Sequence, residues 1–122
     1  MDRSPLPPTI AGHTAFMKLL EQEGVTHLFG NPGTTELAIM EAMSQQSAIN
    51  YVLGLQESVV VGMADGYARA SNKLADCNVH VAPGLGNATG APYNAEFSRS
   101  PGFAPARQTE PGHGTSARVP PR

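Results

Sequence analysis

The sequence predicts an α/β domain, an open parallel sheet flanked by helices. Two observations carry that expectation. Short apolar runs, Val25 to Phe29, Asn50 to Gly54 and Cys77 to Val81, alternate with longer segments of helical periodicity. Each run ends in a turn-like sequence, "GNPGTTE", "LQES" and "APGLGN", so crossover connections rather than hairpins join the strands. A composition of 40% hydrophobic and 15% charged residues over 122 residues suits one such domain with a modest core.

After a Pro-rich leader, residues 1 to 10, the segment Ala11 to Glu23 reads as a helix, with Ala15, Phe16, Leu19 and Leu20 on one face and Gly24 as its C-terminal cap. Val25 to Phe29 is the first strand. Thr34 or Thr35 is placed to N-cap a second helix through "ELAIMEAM", with Glu36 in its first turn as a partner for the helix dipole. "NYVLG" is the second strand. Ser58 to Ala70 is a helix rich in small residues, where Gly62, Ala64 and Gly66 would admit a close neighbour. Cys77 to Val81 is the third strand; "APGLGN" is read as a turn, and a last helix is expected from Asn87 to Phe97, with Pro92 near its start.

Charge divides the chain. Residues 1 to 98 carry four Lys/Arg and nine Asp/Glu, whereas residues 99 to 122 carry four Arg, one Glu and five of the eleven prolines. That last segment has no aliphatic run to offset its ordering entropy, so residues 99–122 are expected to be disordered, and the folded domain to span residues 11–98. A net charge of -2 and no basic cluster in the body exclude nucleic acid as the main partner. No signal-peptide core and no long apolar span are present, so no membrane role is expected and a cytoplasmic location is the default. Cys77 is alone, and the four histidines have no metal-ligand spacing, so no metal site is expected within the chain.

The chemistry gathers at the three turns. In an open parallel sheet, ligands collect beyond the carboxyl ends of the strands, and all three turns would meet at that edge. "GLGNATG" has the spacing G-x-G-x-x-x-G, follows the third strand and lacks the acidic partner of a dinucleotide site; no P-loop is present either. Glu57 is a sharper candidate. It follows the second strand at the head of an apolar helix, in surroundings without a nearby Lys or Arg. Such a carboxylate is either a dipole partner or, with its pKa raised by the apolar setting, a proton donor. His80, read in the third strand, and Thr34, after "NPG", fall on the same edge, although alone they would be a core histidine and an N-cap.

"HLFGNPGTTELAIMEA", "YVLGLQESVVVGMADGYARAS" and "NVHVAPGLGNATGAPYNA" resemble the N-terminal pyrimidine-binding domain of thiamine diphosphate-dependent enzymes, within the benzoylformate decarboxylase and acetolactate synthase-like branch. The resemblance covers residues 11 to 98 and rests on three ordered motifs at the right mutual spacing. It implies thiamine diphosphate as cofactor, with Glu57 bonded to the aminopyrimidine and activating it, and with Gly33, Pro32, Gly84, Gly86 and Asn87 in the cofactor-binding turns. It also implies a 2-oxo acid substrate: Thr34 matches a serine, and His80 a histidine, that face substrate in the benzoylformate decarboxylase type, a hydroxyl to bind the carboxylate and an imidazole to relay protons. Gly30 and Gly33 are expected to permit close backbone approach to ligand.

The resemblance also sets limits. The family's diphosphate and Mg²⁺ are held by a separate domain with a Gly-Asp-Gly motif and a downstream Asn, which this sequence does not contain. A complete site therefore implies the diphosphate-binding domain of another chain or subunit, in a homo- or hetero-oligomer. The family continues after Ser100-Pro101 with an apolar strand, whereas Gly102 and Pro105 here disfavour a central one. Two readings compete: the pyrimidine-binding part of a 2-oxo acid decarboxylase or carboligase, and a truncated, inactive fragment whose interface helix around Gly62 is exposed. A nucleotide-binding regulatory module rests on fold analogy alone.

Overall fold

The computed structural model describes residues 10–100 and the backbone of residues 103–107. The elements run α1 (Gly12–Gln22), β1 (His27–Gly30), a 3-10 turn (Thr34–Glu36), α2 (Leu37–Gln46), β2 (Asn50–Leu53), α3 (Glu57–Ser71), β3 (Ala75–Val79), α4 (Val81–Ala88), α5 (Gly90–Phe97) and β4 (Phe103–Arg107). The four strands form one parallel sheet in the order β2-β1-β3-β4. The α/β parallel class expected from the alternating pattern is the observed one.

Helix α1 ends as its sequence requires. Gly24 adopts φ 80°, its N–H donates to the Glu21 carbonyl, and the Val25 N–H donates to the Leu20 carbonyl, each at 3.0 Å. These paired bonds reverse the chain into β1, and only a residue tolerating positive φ does so without strain. At the far end of α3, Asn72 takes the same role with φ 55°.

Two apolar clusters sandwich the sheet. Met17 and Leu20 of α1, Ile39 of α2, Val25, Leu28 and Ile49 form one. Val60, Val61, Ala64 and Ala68 of α3 pack with Phe29, Ala75, Cys77, Val79 and Ala88 to form the other. Each buried valine of α3 contributes roughly 1.5–3 kcal/mol. The small residues that bring α3 close to the sheet are Ala64 and Ala68. Gly62 and Gly66 face open space, so the expectation that they admit a packed neighbour is corrected for the described residues.

Three further boundaries differ from the sequence reading. The third strand begins at Ala75 and ends at Val79, so His80 is the N-cap of α4 rather than a strand residue. "APGLGN" is helical: Pro83 lies in the first turn of α4, where a missing N–H costs nothing, and burial of Gly84 and Ala88 outweighs the low helix propensity of glycine. The final helix is split near Thr89 into α4 and α5, with Pro92 in the first turn of α5.

Phe103–Arg107 pair in parallel with Ala75–Val79, which corrects the expectation of a structureless segment from residue 99 onward. Pro105 lies opposite Cys77, but β4 is an edge strand, where a proline is tolerated. Residues 1–9 and 108–122, on which the leader and most of the tail expectation fall, lie outside the described residues.

Candidate functional site

Parallel pairing decides which side chains meet. Gly30 pairs with Leu53 on one side and Asn78 on the other, so the carboxyl ends of β1, β2 and β3 lie level. The chain leaves them through Asn31–Gly33, through Gly54–Gln56 into Glu57, and through His80 into α4. The sheet-edge site anticipated from the turns is therefore assembled from these three exits.

Glu57 is the first residue of α3. Its helix is capped by the Gln56 side chain, which accepts from the Val59 N–H at 3.1 Å. The Glu57 carboxylate is buried, with Oε1 accepting from Asn31 Nδ2 and Oε2 from Asn87 Nδ2, each at 3.2 Å. A Cβ added at Gly84 would stand 3.0 Å from Oε1, a tight contact, so the missing side chain at residue 84 lets α4 rest close against the carboxylate.

Burial pushes the Glu57 carboxyl upward and is the largest influence. Bonds from Asn87, its own backbone N–H and Asn31, with the charge of His80, outweigh it and leave the pKa below the ordinary value. The sequence reading allowed for a raised pKa in an apolar pocket without a counter-charge. That expectation is corrected, because Asn31, from the turn after β1, and Asn87, from α4, reach the carboxylate from distant parts of the sequence, and the head of α3 adds an oriented N–H.

The second cluster contains a residue whose role the sequence reading missed. Glu36 is almost wholly buried, with one oxygen taking bonds from the Gly33 N–H at 2.7 Å and His80 Nδ1 at 2.8 Å, and the other from the Thr35 hydroxyl at 2.7 Å. Thr35 Oγ1 also lies 3.3 Å from His80 Nδ1. Desolvation again pushes upward, and the Thr35, His80 and Gly33 bonds with the His80 charge hold the Glu36 carboxyl below its usual range.

Thr34 is exposed and provides no side-chain cap; the 3-10 turn is capped by the Gly33 to Glu36 contact instead, so the N-cap role expected for Thr34 or Thr35 is corrected. Thr35 is the threonine that meets His80. Pro32 and Gly33 occupy the turn itself, while Gly86 has open space around its Cα. The space above Gly33 is filled by the His80 ring. That above Gly30 is filled by Tyr51 and Asn78, whose side chains join at 2.6 Å across it. On that side the missing side chains of these two glycines make room for protein groups. Immediately after His80, Val81 takes φ 42°, an unusual backbone for a β-branched residue, and this bend sets the angle between the histidine and α4.

Among the described residues no group of His, Cys, Asp or Glu could hold a metal ion, and no helix is long and apolar enough to cross a membrane. Cys77 is buried, and burial followed by the charge of Asp76 pushes its thiol to about 12, which leaves it inert.

The family model described as the thiamine pyrophosphate enzyme, N-terminal TPP binding domain, matches residues 10–106. Benzoylformate decarboxylase of Pseudomonas aeruginosa is 46% identical over 89 residues, covering 73% of this chain and 16% of that protein. The acetolactate synthase large subunit of Haemophilus influenzae is 37% identical over 79 residues, 65% of this chain and 14% of that one. Among solved structures, the thiamine diphosphate-dependent 4-hydroxybenzoylformate decarboxylase of Rhodococcus jostii superposes with a TM-score of 0.73 at 38% identity, covering 82% of this chain and 19% of that chain. The chain thus spans less than one fifth of the length of these relatives. The three-turn edge, the parallel sheet and the match over residues 10–106 together place this chain in the thiamine pyrophosphate enzyme family, as its N-terminal TPP-binding domain.

Proposed function

We propose that the chain supplies the pyrimidine-binding side of a thiamine diphosphate-dependent lyase or transferase acting on 2-oxo acids, as a decarboxylase or carboligase. The observation that carries this reading is the buried Glu57 carboxylate, fixed by Asn31 and Asn87 with Gly84 against it. The residues fit a protonatable heteroaromatic ring: each carboxylate oxygen takes one amide hydrogen and keeps further acceptor capacity for a ring N–H. The lowered pKa makes Glu57 an ionised acceptor in the free chain, which favours a protonated ring nitrogen opposite it. The cofactor, when bound, supplies carbanion chemistry that no amino-acid side chain provides.

In this reading the Thr34 hydroxyl, exposed at the turn, binds the 2-oxo acid carboxylate, and His80 moves a proton at the substrate. Asn87 and Gly84 orient Glu57, and Pro32 and Gly33 shape the first turn. In this reading Mg²⁺ and the diphosphate are held by the diphosphate-binding domain of another chain or subunit. The test is co-assembly of this chain with such a domain and measurement of CO₂ release from benzoylformate and pyruvate. Release that falls at least 100-fold in Glu57→Gln is expected. A wild-type assembly that binds the cofactor yet releases no CO₂ and ligates no 2-oxo acid overturns the enzymatic reading and leaves the truncated, inactive fragment.

A further inference from the structure

We infer that Glu36 is a positioning residue that locks His80 as the Nδ1–H tautomer, leaving Nε2 as a lone-pair acceptor at the open edge of the site. The inference rests on the proposed placement of His80 toward substrate, and deepens it by assigning the atom that acts.

An ionised carboxylate only accepts hydrogen bonds, so the 2.8 Å contact from His80 Nδ1 to Glu36 Oε2 requires the proton to sit on Nδ1. The neutral ring then carries its lone pair on Nε2, which makes no hydrogen bond among the described residues. The two side chains are set at different depths: that of Glu36 is 1% exposed and that of His80 35%. A buried anchor therefore holds one nitrogen while the ring reaches the surface.

Glu36 is itself immobilised. The Gly33 N–H and the Thr35 hydroxyl each hold it at 2.7 Å, one on each oxygen. The ring is also backed by Gly33, since a Cβ there would fall onto the imidazole, and so cannot retreat toward the turn. The Thr35 hydroxyl donates to Glu36 Oε1, so its lone pairs are what it offers to Nδ1–H at 3.3 Å, which reinforces the same tautomer. Two groups from one turn, the Glu36 carboxylate and the Thr35 hydroxyl, thus agree on which nitrogen carries the hydrogen, the arrangement by which an orienting carboxylate sets the role of a histidine.

The experiment is a long-range ¹H–¹⁵N correlation spectrum of the imidazoles in the full chain at alkaline pH. Histidine 80 is assigned by the disappearance of its signals in His80→Asn. The expected result is a protonated Nδ1 and an unprotonated Nε2 in the wild type, loss of that signature in Glu36→Ala, and its retention in Thr35→Val. A wild-type Nε2–H tautomer, an unchanged Nδ1–H signature in Glu36→Ala, or loss of the signature in Thr35→Val overturns the assignment. If Glu36→Ala does not fold, the wild-type and Thr35→Val spectra still decide. No cofactor enters this measurement, so it fails or succeeds independently of whether the chain binds thiamine diphosphate.

Discussion

Asp76 offers a prediction that depends on no functional assignment. It lies in the middle of the sheet on β3, almost wholly buried. Oδ1 accepts from the Cys77 N–H at 2.9 Å, and Oδ2 has no partner among the described residues. Burial is the main influence on its carboxyl, pushing it from 3.8 to about 7 against the smaller opposing effect of the Cys77 N–H. A carboxyl whose folded pKa is raised favours folding below its unfolded pKa, and that contribution is lost as pH rises toward the folded value. The unfolded chain releases the proton near pH 4 and the folded chain near pH 7, so stability falls across that window.

A displacement of about three pH units at 1.36 kcal/mol each corresponds to a loss on the order of 4 kcal/mol. In Asp76→Asn the amide oxygen keeps the Cys77 bond and the charge is gone, while the new NH₂ stands where Oδ2 has no partner and costs about 1–3 kcal/mol. The variant is therefore expected to be about 1–3 kcal/mol more stable than wild type at pH 8, and no more stable at pH 4. Urea unfolding at pH 4, 6 and 8, with the wild-type minus variant difference plotted against pH, isolates this group from the histidines. A difference that is flat between pH 4 and 8, or a variant less stable than wild type at pH 8, refutes the reasoning.

Other consequences follow from the same contacts. Gly33→Ala places a methyl group where the His80 ring lies, so His80 should be expelled from its Glu36 contact, seen as a changed imidazole spectrum and a loss of about 1–3 kcal/mol in urea unfolding. Gly84→Ala should crowd the Glu57 carboxylate, shifting the Asn87 side-chain amide resonances while changing stability by less than about 2 kcal/mol. Gly62→Ala, on an open helix face, should stabilise the chain by about 0.5–1 kcal/mol; a destabilised variant would show that this face is covered. Glu36 and Glu57 have lowered pKa values, so their contribution is present above the unfolded carboxylate pKa and is lost as pH falls below about 4. A stability advantage of wild type over Glu57→Gln at neutral pH that shrinks as pH falls below about 4 is the expected sign.

The parallel sheet was legible because each strand ends in a turn and each crossover carries a helical period, and those features are local. "APGLGN" misled because Pro and Gly are turn residues by propensity. Here the proline falls where a helix needs no donor, and the glycine lies close against a carboxylate 27 residues away in sequence, a tertiary contact that no local pattern shows. The strand at Phe103–Arg107 was missed for a related reason: Pro105 argues against a central strand, but the sheet order makes this one an edge. Glu57 could be read from its place after a strand, and His80 from its nearness to the same edge, although it was read within the strand that it follows. The bonding role of Glu36 could not, since a glutamate in a first helical turn ordinarily serves the dipole. Its place three residues after Gly33, the spacing of a reciprocal cap, was the available signal. Choosing between Thr34 and Thr35 needed the 3-10 turn, which points one out and the other toward His80.

The central claim is that Glu57 and its two asparagines form the pyrimidine side of a thiamine diphosphate site. Its most direct test is a titration of the ¹⁵N-labelled chain with thiamine diphosphate and Mg²⁺, following the side-chain amides of Asn31 and Asn87 and the backbone amides of Glu57 and Gly84. The account predicts saturable shifts confined to these groups and their neighbours, markedly weakened in Glu57→Asp, which shortens the reach of the carboxylate. Shifts that leave Asn31 and Asn87 untouched, or that are the same in Glu57→Asp, would contradict it.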